Sequence, residues 1–79
     1  MNNSLYLVRN KDAETKINSL VKKYNLELCF EERKEKVLKN ENMLVLLKKK
    51  YIFIRFLLDS NNLFSEVQQI FESSNGYEK

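Results

Sequence analysis

Two apolar runs, MLVLL at 43–47 and YIFIRFLL at 51–58, are separated by only three lysines. Short apolar runs joined by so brief a polar break are typical of a β-hairpin, in which Lys48, Lys49 and Lys50 form the tip. In the second run, the predicted core face carries Ile52, Ile54, Phe56 and Leu58. The opposite face carries Tyr51, Phe53, Arg55 and Leu57. The hairpin predicts a sheet, with a buried helical turn as the alternative for MLVLL, which is short and uniformly apolar. Lysines suit tight turns poorly, so we expect a bulged connection.

The N-terminal third alternates between strand and helix patterns. SLYLVR predicts a strand from Leu5 to Arg9, and Asp12 is the expected N-cap of the helix that follows. One stripe of that helix carries Ala13, Ile17, Leu20, Val21 and Tyr24. Asn25 suits the left-handed residue that ends a helix. We therefore expect a β-α unit.

LELCFEE alternates again and predicts a second strand. Its core face should carry Leu26, Leu28 and Phe30, and its other face Glu27, Cys29 and Glu31. From Glu31 to Asn42 most residues are charged, and only Val37 and Leu38 could reach a core. This segment is read as a long connection between strands or as a short exposed helix, and the sequence alone does not decide whether residues 31–42 are helix, strand or loop.

DSNNLFSEVQQIFESSNG predicts a final helix, with Ser60 or Asn62 as its N-cap and Gly76 at its end. Its apolar stripe carries Leu63, Phe64, Val67, Ile70 and Phe71. The whole pattern predicts one α+β domain over residues 1–79, in the order β-α-β-β(-β)-α. It is a two-layer sandwich with two helices on one face of a mostly antiparallel sheet, either ferredoxin-like or a truncated variant.

The composition indicates the cellular compartment in which we expect the protein to work. The chain has 79 residues, a net charge of +3 and one cysteine, Cys29, which rules out an internal disulfide framework. We found no signal peptide pattern and no uncharged stretch long enough for a membrane span, so we expect a cytoplasmic protein without membrane contact. Lysine outnumbers arginine eleven to three, which we read as a low-G+C genome, such as that of a phage or other mobile element.

Catalytic groups are scarce, so we predict a protein that is not an enzyme and uses no metal or cofactor. There is no histidine, which removes the commonest general base, and one glycine cannot build a phosphate-binding loop. Cys29 is read as a half-buried packing residue. The carboxylates of Glu31, Glu32 and Glu35 are interleaved with cations, so we expect them to lie on a solvated surface.

The hairpin region also resembles a known nucleic-acid-binding pattern. Residues 49–56, KKYIFIRF, resemble the RNP1 motif of the RNA recognition motif family, and LYLVRN at 5–10 resembles its partner motif RNP2. The resemblance covers these two short motifs, and Lys50 and Ile52 fill the two small positions of RNP1. It implies that the two strands lie side by side at the sheet centre. Tyr6, Tyr51 and Phe53 would then stack on bases, and Arg9, Lys49, Lys50 and Arg55 would meet phosphates.

Two functions follow from the second face of the hairpin. The first is a small interaction protein, such as a phage or mobile-element inhibitor or regulator that blocks a target protein by steric occupation. The alternative is a single-stranded nucleic-acid (RNA) binding module. Both use the same contact residues: Tyr6, Arg9, Lys48, Lys49, Lys50, Tyr51, Phe53, Arg55 and Leu57. Three things could cover this face: the charged segment 31–42, another chain such as a second copy in a homodimer, or a nucleic acid.

Overall fold

The computed structural model describes residues 3–57 and 61–72. Seven elements follow one another along this part of the chain. They are β1 (Asn3–Val8), α1 (Lys11–Tyr24), β2 (Glu27–Glu32), β3 (Glu35–Lys39), β4 (Met43–Leu47), β5 (Tyr51–Phe56) and α2 (Asn61–Glu72). The α+β class is confirmed, but the order β-α-β-β-β-β-α has one strand more than the longest predicted order, β-α-β-β-β-α.

All five strands form one antiparallel sheet in the order β1-β5-β4-β3-β2. Strands β2 to β5 are a meander, in which each strand pairs with the next along the chain. Helix α1 therefore carries the chain from the β1 edge of the sheet to the β2 edge. Both helices pack on the same face of the sheet, and no other element of residues 3–57 and 61–72 covers the opposite face.

Helix α1 has the predicted stripe and the predicted end, but a different start. Asn10, in extended conformation, accepts a hydrogen bond from the Ala13 backbone N–H at 2.8 Å and is the N-cap. The prediction of Asp12 as cap was wrong, because Asp12 already lies inside the first turn. Asn25 ends the helix with φ 60°, in the left-handed conformation expected for it.

The core lies between the sheet and the two helices. Ile52, Ile54 and Phe56 are buried as predicted, and Met43, Val45 and Leu47 lie beside them on β4. The helices contribute Ala13, Ile17, Leu20 and Val67 to the same cluster, and Leu26 and Leu38 complete it. Leu58, the fourth predicted core residue of that run, lies outside the described residues.

The charged segment 31–42 is mostly strand, and it is neither one long loop nor a helix. Glu31 and Glu32 end β2, and residues 35–39 form β3, joined to β2 by a two-residue loop at Arg33 and Lys34. Arg33 adopts φ 57°, which lets the chain reverse tightly. Since this segment extends the sheet sideways, it does not cover the hairpin's second face, and that alternative is wrong.

The β4–β5 tip is tighter than expected. Leu47 pairs with Ile52 without a register shift, and the Lys48 N–H donates to the Tyr51 carbonyl oxygen at 2.9 Å. Lys49 and Lys50 are therefore a two-residue loop, and neither has positive φ. The predicted bulge was wrong in this place.

A bulge occurs instead in β2. Leu28 pairs with Leu38 but Phe30 pairs with Val37, so Cys29 is an extra residue in the ladder. Because one inserted residue reverses the alternation, Leu28 faces the helices whereas Phe30 faces the opposite side. The prediction that these two share one face was wrong. Cys29 itself is exposed, so the prediction of a half-buried packing residue was also wrong.

Helix α2 begins at Asn61. Asn62 therefore lies inside the helix and is not its cap, while Ser60 and Gly76 lie outside the described residues. Val67 is buried, and Leu63, Phe64, Ile70 and Phe71 pack around the core as the spacing predicted. Neither described helix is long and apolar enough to cross a bilayer.

Candidate interaction surface

The face of the sheet opposite the helices, here called the open face, carries an apolar row that crosses all five strands. Cross-strand pairing places Tyr6 beside Phe53, Phe53 beside Leu46, Leu46 beside Val37, and Val37 beside Phe30. Tyr6 is 69% exposed and Phe30 50% exposed, and the three residues between them are half-buried. An unbroken line of apolar side chains across a whole sheet is uncommon on a surface that meets only water.

Two further rows flank the apolar row. The Arg55 row runs across the strands as Ser4, Arg55, Leu44, Lys39 and Glu27. The Tyr51 row runs as Val8, Tyr51, Lys48, Glu35 and Glu32. Apolar residues therefore lie on both sides of the apolar row, interspersed with charges of both signs.

Three aromatic rings cluster where β1 meets β5. Tyr6 stacks on Tyr51 with ring centroids 4.9 Å apart, and it meets Phe53 edge-on at 6.4 Å. The resemblance to RNP1 and RNP2 implied that these strands are neighbours, and they are. It also implied a central position, which is wrong for β1, because that strand forms an edge of the sheet. The cluster is therefore open on the β1 side.

Arg9 contacts the backbones of Lys48 and Lys50, two other predicted contact residues, but its side chain is used within the fold. Its Nε donates to the Glu14 carboxylate of α1 at 2.8 Å, and Nη1 donates to the carbonyl oxygens of Lys34 and Lys48 at 2.6 and 2.7 Å. The side chain is only 13% exposed. The hydrogen bond that Arg9 Nε donates to the Glu14 carboxylate lowers the pKa of Glu14. Arg9 thus ties the first helix to two turns of the sheet, and its donors are largely occupied.

The three tip lysines have different surroundings. Lys48 Nζ lies 3.7 Å from the Glu35 carboxylate, so it has an acidic neighbour on the same face. Lys49 and Lys50 are exposed in the two-residue loop, and the Lys50 carbonyl oxygen accepts from the Arg9 N–H. Only the last two lysines of the tip present their charge to solvent without an ion pair in the described part of the chain.

Arg55 and Leu57 complete the predicted set. Arg55 is exposed on the open face, between Ser4 of β1 and Leu44 of β4. Leu57 lies just past the end of β5, is half-buried, and its N–H donates to the Asn42 carbonyl oxygen at 2.8 Å. Of the nine predicted contact residues, the structure gathers Tyr6, Lys48, Tyr51, Phe53 and Arg55 on one face.

The charges of the open face are balanced. Its three rows contain the cations Lys39, Lys48 and Arg55 and the carboxylates Glu27, Glu32 and Glu35. A phosphate backbone would meet carboxylates over the β2 and β3 half of the face. Within residues 3–57 and 61–72, no three acidic or sulfur side chains are grouped to hold a metal ion.

A shallow groove of about 560 Å³ lies at the other end of the sheet, between the end of α1 and the β3–β4 turn. One of its lining side chains, Asn40, donates to the Tyr24 carbonyl oxygen and accepts from the N–H groups of Asn42 and Met43. These bonds shape the turn, so the Asn40 amide is occupied by the fold itself.

Much of the apolar row was not predicted from the sequence. The positions of Leu44 and Leu46 on the open face could have been predicted. MLVLL is apolar at every position, and such a strand has apolar residues on both faces. Val37 follows from the same reasoning once β3 is known to be a strand. Phe30 had no signal, because its face depends on the bulge at Cys29.

Comparison of the chain with protein-family models, curated proteins and solved structures finds no significant match.

Proposed function

We propose that this chain is a small interaction module whose open face binds a target protein and acts by occupying the target's surface. The observation that carries the proposal is the apolar row from Tyr6 to Phe30, which crosses the whole sheet on the side away from both helices. A monomer that leaves such a row in water would forgo the free energy of covering it, about 25 cal/mol for each Å² of apolar area.

The flanking rows support a protein partner more than any other kind. Protein interfaces combine an apolar centre, rich in aromatic residues and arginine, with a polar rim. Tyr6, Tyr51 and Phe53 supply the aromatic anchors, and Arg55 lies beside them. The mixed charges of the open face suit a protein surface that also carries both signs.

The proposed mode of action is steric occupation without catalysis, as in an inhibitor or regulator carried by a phage or other mobile element. The scarcity of catalytic groups and the lysine-rich, arginine-poor composition support this reading. The single cysteine fits the reducing cytoplasm, which is where we propose that the protein works.

The test is affinity capture from the native host, with open-face variants compared with a matched control. Tyr51→Ser and Phe53→Ser together should abolish capture of the specific target, because they remove two central anchors. Leu28→Ser is the control, since Leu28 is an exposed apolar residue that faces the helix side. Equal capture by the folded Tyr51/Phe53 variant and the control would contradict the proposal, and circular dichroism would verify folding.

A single-stranded nucleic acid is the second candidate partner, because the aromatic cluster lies next to the lysine tip. Stacking on aromatic rings beside cations is how such strands bind without strict sequence preference. Titration with labelled oligonucleotides at two salt concentrations tests it, since phosphate contacts make the affinity fall steeply with salt. Absence of binding at low salt would remove this candidate.

A further inference from the structure

We propose that the open face is self-complementary, and that a second copy of this chain covers it when the target is absent. The inference builds on the proposed function, because it concerns the occupant and the regulation of the same face. The two sheets would pack face to face about 10 Å apart, as aligned sheets do. The dimer would be a four-layer assembly with helices on both outer sides.

The apolar row defines the symmetry of this contact. A homodimer with one contact patch on each copy is two-fold symmetric, so residue i meets residue j while j meets i. If the two-fold axis lies between the sheets along the apolar row, that row packs on its own counterpart. Phe53, Leu46 and Val37 at its centre are then covered by the same three residues of the second copy.

The same operation exchanges the two flanking rows. Each residue of the Arg55 row lies opposite the residue of the Tyr51 row on the same strand. On β3, Lys39 meets Glu35 of the second copy, which joins opposite charges. On β5, Arg55 meets the ring of Tyr51 of the second copy, which is a favourable cation–π arrangement. Each of these contacts occurs twice in the dimer.

The charges also discriminate against the other way to stack these sheets. A two-fold axis parallel to the strands would place Lys48 opposite its own copy and Lys39 opposite Arg55. Like charges brought together at an interface oppose association. The axis along the apolar row avoids both clashes, and its acidic pair, Glu27 with Glu32, lies at the β2 rim, where solvent screens it.

Glu35 can serve both its own chain and the second copy. Its Oε1 atom lies 3.7 Å from Lys48 Nζ in the same chain, which leaves the other carboxylate oxygen for Lys39 of the second copy. A carboxylate accepts several hydrogen bonds at once. The intramolecular pair therefore orients Glu35 for the contact between the two copies.

The open face is small, so the dimer should dissociate readily. Five strands at about 4.8 Å spacing and five residues at about 3.4 Å give a flat footprint of roughly 400 Å². A standard stable interface buries about 800 Å² per partner. We therefore expect a weak dimer that dissociates in favour of a target with better contacts, so that self-association masks the face without blocking its use.

The test is a charge swap at positions 35 and 39, followed by sedimentation equilibrium at low salt. Lys39→Glu and Glu35→Lys should each raise the dimer Kd about tenfold or more, because each brings like charges together twice. A one-to-one mixture of the two variants should regain dimerisation, since opposite charges then meet at both contacts. Lys22→Glu and Glu41→Lys are controls with the same net charges, on exposed positions of α1 and the β3–β4 turn.

The outcomes separate this inference from the proposed function. A wild-type protein that remains a monomer, or a dimer indifferent to both charge reversals, would overturn the self-complementary face. Neither result touches target binding, which the Tyr51/Phe53 capture experiment tests independently. Conversely, a dimer that responds to the swap while Tyr51→Ser and Phe53→Ser leave capture intact would retain the inference and overturn the proposed target site.

Discussion

Tyr6 stacks on Tyr51 across the β1–β5 pair, with ring centroids 4.9 Å apart and ring planes 24° apart. The two residues are diagonal neighbours, because Tyr6 pairs directly with Phe53 and Tyr51 pairs with Val8. Diagonal pairs of long side chains lie within reach of each other on a sheet face. The stack thus fastens an edge strand to the sheet by side chains as well as by backbone hydrogen bonds.

Replacing Tyr6 by Ser should lower the free energy of unfolding by about 1 kcal/mol, because aromatic pairs contribute about 0.5–1.5 kcal/mol beyond their area. Tyr6→Phe keeps the ring and should remain near the wild type. Urea denaturation followed by circular dichroism measures both. If the serine variant were as stable as the phenylalanine variant, the stack would add nothing to the fold.

Arg9 should be a structural residue that lysine cannot replace. Arg9→Lys loses the forked geometry that reaches Glu14, Lys34 and Lys48 together, so we expect a loss of about 1–3 kcal/mol in urea denaturation. Arg55→Lys is the matched control on an exposed position and should change stability by less than about 0.5 kcal/mol. Equal effects of the two substitutions would contradict the role given to Arg9.

The Arg9 pair should also contribute to stability in a defined pH range. The pKa of Glu14 is lowered from 4.5 in the folded state, so its contribution is present above the unfolded pKa and is lost as the pH falls through the folded pKa. Glu14→Gln should therefore weaken the acid dependence of the unfolding free energy. Denaturation at a series of pH values from 7 down to about 2 measures this difference. A curve parallel to that of the wild type would contradict it.

Tyr24 should make the free energy of unfolding depend on pH at the alkaline end of the range, where stability falls as the pH rises. Burial, together with the hydrogen bond that its hydroxyl donates to Glu66, raises its pKa to about 12. A raised folded-state pKa gives stability that is present below the unfolded pKa, about 10, and is lost as the pH rises toward 12. Tyr24→Phe should flatten that loss. The difference in phenolate absorbance between wild type and Tyr24→Phe should titrate near pH 12, and a value near 10 would contradict the linkage.

The loop at Arg33 offers a stabilising substitution. A non-glycine residue in the left-handed region costs about 1–2 kcal/mol, and Arg33 has φ 57°. Arg33→Gly should raise the free energy of unfolding by about 0.5–1 kcal/mol, since glycine's greater freedom in the unfolded chain offsets part of the gain. Lys34→Gly is the control, because Lys34 has no positive φ to relieve. A gain from Lys34→Gly equal to that from Arg33→Gly would exclude this explanation.

The sequence predicted the elements with a strong period, and for a physical reason. The stripe from Ala13 to Tyr24 and the alternation of Ile52, Ile54 and Phe56 both result from burial of one face against one layer. Burial of this kind gives a regular spacing of apolar residues that can be read from the sequence. Segment 31–42 gave no such signal. Its strand β3 has only Leu38 fully buried, and its charged residues lie on both faces of the sheet, half-buried or exposed.

Only part of the candidate site could be predicted from the sequence, for a related reason. Tyr51, Phe53 and Arg55 are alternate positions of one strand, so they share a face. The remainder of the apolar row depends on which strands are neighbours and on the bulge at Cys29, which turns Phe30 to the open face. The register between strands that are distant in sequence, and the insertion of one residue into a strand, produce no regular spacing of apolar residues in the sequence.

The pairing of β1 with β5 has a consequence for the order in which the fold assembles. Strands β2 to β5 are joined by short turns, so that meander can close through local contacts alone. By contrast, Asn3 pairs with Phe56, and the whole β1 ladder joins residues about fifty positions apart. Contacts of such high sequence separation form slowly, because the intervening chain must be ordered first. We therefore expect the aromatic cluster at the β1–β5 boundary to assemble late, and the open face to become complete only when β1 joins the sheet.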